Sequence, residues 1–503
     1  MKAALAVSAF LFFAFGGWSQ DTEGLLRLDP TGATSATLNR SRARHTHLQP
    51  FNPFLEREIV RRTSDSLATN TDRHFRYSLT PVGEFALGGS AQPNPGMASF
   101  GAAGVGASAY FRNRFYIRAG YQLAHQFFPD HLEVQRAETG TLSGYGRAFE
   151  LGEAHAAHYY TGAIGARMGD HFSVEAGREK SFWGDGYRSL ILSNNAAPYG
   201  FLRLTTKVWH LKYVNLWGRM SHFDRFTGDR RLKYTAMHAL SWDITPRFNA
   251  TLYEAVVWQA NDVAVERGFD FAYLNPLIFY RPIEFSKGSA DNVLLGMSLS
   301  LDVGKRSRLY SQVYFDEILI SELRSSNQWW GNKFAVQLGF KAWDWPANGH
   351  SFLTEINIAR PFTYTHGSVI QAYTHANQSL AHPLGANFAE WITRYTIDRG
   401  GAIINGTLAF SRFADDPAGL NYGNDILKSY AGPSRIYGNA WFQGDQTDMV
   451  YAEADVLWPL SLSNARFFTQ LGVRAVQNAF GSPIDGWLVA GFRTNIVRPY
   501  RDY

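Results

Sequence analysis

From about Phe75 onward, apolar side chains recur at every second residue. Phe115, Ile117, Ala119, Tyr121 and Leu123 alternate with Tyr116, Arg118, Gly120 and Gln122. Val293, Leu295, Met297, Leu299 and Leu301 alternate with Gly296, Ser298, Ser300 and Asp302, and the same pattern holds around Phe334–Phe340 and Thr469–Ala475. Period two marks strands whose two faces meet different surroundings. These runs reach roughly ten residues, longer than the 5–6 usual in soluble sandwiches. Their second face carries Gly, Gln, Glu and Arg, the pattern of strands that are apolar toward lipid and polar toward a lumen. After the first twenty residues no apolar run reaches about 18 residues, so no segment reads as a transmembrane helix. Lipid satisfies no free strand edge, so such strands must close. The expected fold is all-β, a transmembrane antiparallel outer-membrane β-barrel of about 18 strands behind a short helical or irregular segment.

Met1-Lys2 followed by the apolar stretch to Phe15 and by Gly16–Gln20 reads as a signal peptide over residues 1–20. Residues 21–71 are polar and Arg-rich, with a helix-compatible run from Leu55 to Leu67. They read as a helical or irregular periplasmic or plug segment, or a flexible lead-in, before a barrel over 72–503. With no cysteine there is no disulfide framework, thiolate metal site or Cys nucleophile. The net charge of +5 is scattered, and no basic block points to nucleic acid. Trp209, Trp217, Trp242, Trp258, Trp343, Trp345 and Trp458 are expected to form interfacial girdles. The last strand is placed at Trp487–Ile496, and the aromatic end at Tyr503 suits recognition by the barrel-assembly machinery, although it lies beyond Pro499.

Three clusters carry candidate chemistry. The first, Arg178 to Tyr213, breaks at Gly184-Asp185-Gly186 and holds Arg178, Lys180, Trp183, Asp185 and Arg188. Its glycines allow positive φ and a sharp turn. Its Trp and charged groups suit stacking on sugars and hydrogen bonding to hydroxyls or uronic acids. Strand parity places Glu175, Gly177 and Glu179 toward the lumen and Arg178 and Lys180 outward, so the strand is leaving the membrane there or bulges. The second, Tyr273–Lys287, contains Asn275, Arg281 and Glu284. Pro276 and Pro282 make it an irregular edge or a lumen-lining crossing. The third, Tyr373–Asn387, contains His375, Asn377 and His382 without a further His or acid at metal-ligand spacing, so no metal and no cofactor is expected. No Gly-x-Ser-x-Gly elbow is present, and the chain is read as not an enzyme.

GREKSFWGDGYRSLILSNNAAPYGFLRL, YLNPLIFYRPIEFS and YTHANQSLAHPLGANF together resemble the Wzi-like capsule-assembly family of outer-membrane proteins, in particular its Bacteroidota branch of RemB-like gliding-motility proteins. The resemblance spans Phe75–Tyr503. It implies an 18-stranded outer-membrane barrel elaborated by a small helical bundle. It also implies a role in attaching capsular polysaccharide at the cell surface, or a surface role tied to gliding. The reading is a non-enzymatic barrel in outer-membrane lipid that supports capsule or surface-polysaccharide assembly. The alternatives are a gliding-associated surface protein and a porin-like channel for sugars or anions. The inserts 184–200 and 365–390 are expected to fold inward and obstruct the lumen. An Arg at Met297 is expected to be costly and one at Ser298 mild.

Overall fold

The computed structural model describes residues 45, 47–49, 75–91, 96–112, 114–127, 130–152, 154–224, 227–261, 267–276, 291–460, 465–494, 500 and 502–503. The signal-peptide reading, most of the 21–71 segment and the pair Arg281 and Glu284 lie outside these residues.

Eighteen strands close into one antiparallel barrel. They are β1 (Phe75–Ser90), β2 (Gly96–Phe111), β3 (Phe115–Phe127), β4 (Ala154–Met168), β5 (Phe172–Glu179), β6 (Tyr199–Val208), β7 (Leu211–Phe223), β8 (Arg230–Asp243) and β9 (Phe248–Gln259). The circuit continues with β10 (Asn292–Val303), β11 (Ser307–Glu317), β12 (Lys333–Trp343), β13 (His350–Ala359), β14 (Phe388–Arg399), β15 (Ala402–Asp415), β16 (Asp445–Pro459), β17 (Arg466–Asn478) and β18 (Ile484–Arg493). β1 closes on β18 from Glu84↔Arg493 to Ser90↔Trp487, which completes the circuit. Turns at one end are short, such as 209–210 and 400–401. The other end carries the inserts 128–153, 180–198, 260–291, 318–332, 360–387 and 416–444. This asymmetry is that of short periplasmic turns and long extracellular loops. Among the described residues the helices of four residues or more with α geometry are α1 (Asp130–Thr139) and α2 (Ile320–Ser325), less than the bundle the resemblance implies.

Side-chain parity follows the period-two pattern. Phe115, Ile117, Tyr121, Met297, Leu301, Leu338 and Leu471 are exposed on the outer wall, while Tyr116, Ser298, Ser300, Gln312 and Gln337 are buried inside. The tryptophans divide. Trp209, Trp242, Trp345 and Trp458 are exposed and cluster at the short-turn rim, as an interfacial girdle does. Trp217, Trp258 and Trp343 are buried. On the outer wall, Trp217 and Trp258 are covered by the segment after β9: Trp217 Nε1 donates to the carbonyl of Tyr273 at 2.7 Å, and Trp258 packs on Tyr273 at 4.8 Å. Short sequence windows do not distinguish a lipid-facing Trp from one under a loop.

Met297→Arg places a cation on the outward face of β10 and is expected to cost about 2–4 kcal/mol near midplane. Ser298→Arg, expected from sequence to be mild, is costly as well: Ser298 is buried, with its hydroxyl 2.9 Å from that of Tyr253. Equilibrium refolding into lipid vesicles checks both, and free acceptance of either Arg contradicts the assignment of its face.

Candidate functional site: a packed lumen beneath an aromatic rim

Loop 180–198 descends into the barrel, and almost all its side chains are buried. Leu190, Ile191 and Leu192 join one apolar core with Tyr364, Tyr373, Leu380 and Ala381 from insert 360–387 and with Met237, Tyr253, Leu294 and Tyr314 from the wall. Burying each large apolar side chain contributes roughly 1.5–3 kcal/mol, so this interior is a folded core rather than a water channel. The two inserts are laced together: Ser193 N donates to Leu380 O at 2.7 Å, Tyr364 Oη to Leu190 O at 2.8 Å and Tyr373 Oη to Ile191 O at 2.7 Å. Leu48–Gln49 from the N-terminal segment pairs with Phe182–Trp183 in the same interior.

The glycines of the break act through space rather than through φ. Neither Gly184 nor Gly186 has a positive φ. A Cβ at Gly186 would overlap the Glu355 carboxylate, and one at Gly184 would crowd the Gln312 amide. Their smallness lets the backbone approach the wall. Glu355 accepts from the backbone N–H groups of Tyr187 at 3.0 Å and Arg188 at 2.8 Å.

Two charge clusters hold the tip of this loop. Asp185 accepts from Arg308 at 2.9 Å and Lys341 at 3.0 Å. Burial alone would raise its carboxyl, but Lys341 and Arg308 hold it well below the ordinary carboxylate range. Arg188, fully buried, grips Glu390 with Nη2 at 2.8 Å and Nε at 3.1 Å, and Asp502 with Nη1 at 3.0 Å. Its guanidinium lies between the rings of Tyr187 and Tyr500, 4.9 and 4.8 Å from their centroids. His382 Nε2 also bonds Glu390, at 2.8 Å. Asp502 follows β18 in sequence and lies in the lumen. There the Tyr503 hydroxyl lies 2.7 Å from that of Ser143 and accepts from Gln135 at 2.6 Å. The aromatic end thus packs inside, not at the lipid rim.

The other candidates divide by place. Lys180 is buried and donates to Asn194 O at 3.0 Å, and burial pulls its ammonium down to about 7. Trp183 is buried and stacked on Tyr253, leaving no open face for a sugar. Asn377 clamps the end of β7, accepting from Phe223 N at 3.0 Å and donating to Phe223 O at 2.9 Å. With Ala376 it forms the positive-φ turn of the small hairpin Thr374–His375/Gln378–Ser379. Arg178 does not join this interior. It faces outward, as parity predicts, with its guanidinium 4.4 Å from the Tyr160 ring centroid. Asn275 is exposed beside Tyr273 on the outer wall, so the described part of that motif does not line the lumen.

His375 accepts from Ser221 N at 3.1 Å through Nδ1, which leaves Nε2–H to donate to Pro198 O at 3.2 Å. Burial, with Arg178 and Lys233 adding, pushes it down to about 3. The sign follows: its folded pKa lies below the unfolded value of about 6.5, so the unfolded chain takes the proton first as pH falls. Stability is level above about pH 6.5 and declines toward pH 3, by roughly 1.4 kcal/mol per unit. From pH 7 to 5 the interior is expected to lose about 2 kcal/mol at this group. Hydrogen exchange across 372–380, corrected for intrinsic rates, should accelerate at pH 5, and His375→Gln should flatten that response. An unchanged response in the variant assigns the pH effect elsewhere.

Above this interior, inserts 318–332 and 416–444 meet. Trp330 N donates to Ile436 O at 3.1 Å and Gly438 N to Asn327 O at 3.0 Å. Trp330 packs 4.9 Å from Tyr430, Arg435 lies 5.9 Å from the Tyr422 centroid, and Tyr437 and Arg435 are exposed. This aromatic rim with Arg435 is not among the candidates drawn from sequence. Its signal was the adjacent Trp329-Trp330 in one insert and the three tyrosines with Arg435 in 416–444.

A closed 18-strand antiparallel wall, short turns at one end and long loops at the other, defines the class of outer-membrane barrels. Among solved structures the chain is similar in fold to Wzi of Escherichia coli, described as an outer-membrane protein involved in group 1 capsule assembly and a carbohydrate-binding β-barrel. The TM-score is 0.55 at 10% identity, over 92% of this chain and 98% of that one. OprD of Pseudomonas aeruginosa matches with a TM-score of 0.44 at 10% identity, over 84% of this chain and 98% of that one. No family model and no curated protein matches the sequence.

Proposed function

We propose that this protein is a non-enzymatic outer-membrane barrel that holds surface polysaccharide at its extracellular rim, in capsule assembly or attachment. The observation that carries the reading is the exposed pair Tyr437 and Arg435, beside the half-buried Trp330 and Tyr430, standing over a packed lumen: it offers a stacking face and hydrogen-bond donors where an extended glycan can reach them. The fold likeness to a carbohydrate-binding barrel supports it, as does the resemblance of the three motifs to the Wzi-like family, whose Bacteroidota branch would add gliding as the setting in which such attachment acts. The filled interior favours binding over diffusion. Asp185 and Arg188 belong to the support, and Tyr437 and Arg435 to the contact.

Cells lacking the protein and complemented with Tyr437→Ala/Arg435→Ala are expected to retain several-fold less surface polysaccharide than cells complemented with the parent, at equal barrel levels. Staining of intact cells reads this. Equal retention overturns the proposal.

A further inference from the structure

The outer wall carries a second constellation, unconnected to the lumen. Arg178 on β5 and Arg219 on β7 both face outward, each directly opposite Gly200 of β6. Arg178 is flanked on its other side by Gly162 of β4. At roughly 4.8 Å per strand, the two arginine Cα atoms lie about 10 Å apart, within reach of one shared anion. Between them the wall is bare backbone: a Cβ on Gly200 would meet nothing closer than the Arg219 Cβ at 3.6 Å. Higher on the same face stand Arg230, opposite Phe223, and Arg147, 5.6 Å from the Phe223 ring centroid. Below it the wall is apolar, with Ile164 and Leu202 exposed. Asp224 and Asp229 stand near Arg230 in sequence and Glu150 near Arg147, but among the described residues no ion pair joins a carboxylate to Arg178, Arg219, Arg230 or Arg147. By contrast, the outward Arg412 is held by Asp448 at 2.5 Å.

The height of this constellation selects its ligand. Gly200 and Trp209, a member of the short-turn girdle, are nine residues apart along one strand and its turn. At about 3.3 Å per residue and a tilt near 40°, that is roughly 23 Å along the barrel axis, close to the ~25 Å apolar band of such barrels. The arginines therefore stand where hydrocarbon gives way to headgroups in the outer leaflet. Unpaired cations there are costly unless they meet anions.

We infer that Arg178 and Arg219, with Gly162 and Gly200 as a smooth floor, form a binding site for the phosphate of an anionic outer-leaflet lipid whose acyl chain runs down the Ile164–Leu202 face. Guanidinium forks suit phosphate oxygens, and glycines let a chain lie against the backbone. The site is independent of the glycan rim and stands or falls separately from it.

The test is native mass spectrometry of the full chain in non-ionic detergent, titrated with diphosphoryl lipid A. The parent is expected to retain it. Arg178→Gln/Arg219→Gln should bind it at least about tenfold more weakly, and Arg412→Gln should bind like the parent. Gly200→Leu fills the floor while keeping both arginines, and should also weaken binding if the double variant fails to fold. Phosphatidylcholine should bind poorly, and excess inorganic phosphate should not displace the lipid. The inference is overturned if folded double-variant or Gly200→Leu protein binds lipid A like the parent, or if phosphatidylcholine binds equally well. Displacement by inorganic phosphate alone would make this a free-anion site. Displacement by acidic polysaccharide would make it a glycan site. Either result also overturns the inference.

Discussion

Arg188→Ala is expected to destabilise the barrel by about 3–5 kcal/mol, because it strands two buried carboxylates. Glu390 is fully buried and Asp502 nearly so, and Arg188 is the cation between them. Burial alone would lower the Arg188 guanidinium, but Asp502 and Glu390 raise it far above its usual value, so it remains charged. The same side chain ties insert 180–198 to β14 and to the segment after β18, so its loss releases three parts of the chain at once. Arg188→Lys should recover little, since a point ammonium cannot reproduce the fork on Glu390 and the contact with Asp502 together. Denaturant titration of protein refolded in lipid vesicles measures the loss. A cost below about 1 kcal/mol, the scale of an exposed pair, would contradict the assignment of Arg188 as the clasp of the interior.

The second large effect concerns passage through the barrel. The parent in planar bilayers is expected to give no steady porin-like openings, because inserts 180–198 and 360–387 build an apolar core across the lumen. The strand ladder at the base of loop 180–198 lies outside residues 185–197: β5 and β6 pair from Tyr199↔Glu179 to Thr206↔Phe172. Replacing residues 185–197 by a short Gly-Ser linker should leave that ladder intact while removing Leu190, Ile191 and Leu192 from the core. Large, steady currents are expected from this variant and not from the parent. A parent that conducts like a porin would restore the channel reading.

Much of the wall was legible in the sequence, since burial alternates where apolar and polar residues alternate. The inward position of Glu175 and Glu179 and the outward position of Arg178 follow from parity alone. The site was less legible. Asp185, Trp183 and Arg188 have the residue types of a sugar site, but their partners Lys341, Arg308, Tyr253 and Glu390 lie about 70 to 200 positions away and satisfy them from the wall. Nothing local distinguishes a charge awaiting a ligand from one already paired. Gly184 and Gly186 looked like turn formers and instead serve close approach to Gln312 and Glu355. The covering of Trp217 by Tyr273 required knowing that a loop folds back over the outer wall. Asn275 was misplaced for the same reason.

The most direct measurement of the central claim is the affinity of purified, detergent-solubilised protein for polysaccharide isolated from the surface of its own cells, determined by biolayer interferometry. Saturable binding by the parent, unchanged binding by folded Asp185→Asn, and loss in Tyr437→Ala/Arg435→Ala are expected. Absence of binding by the parent, or equal binding by the rim variant, would contradict that claim.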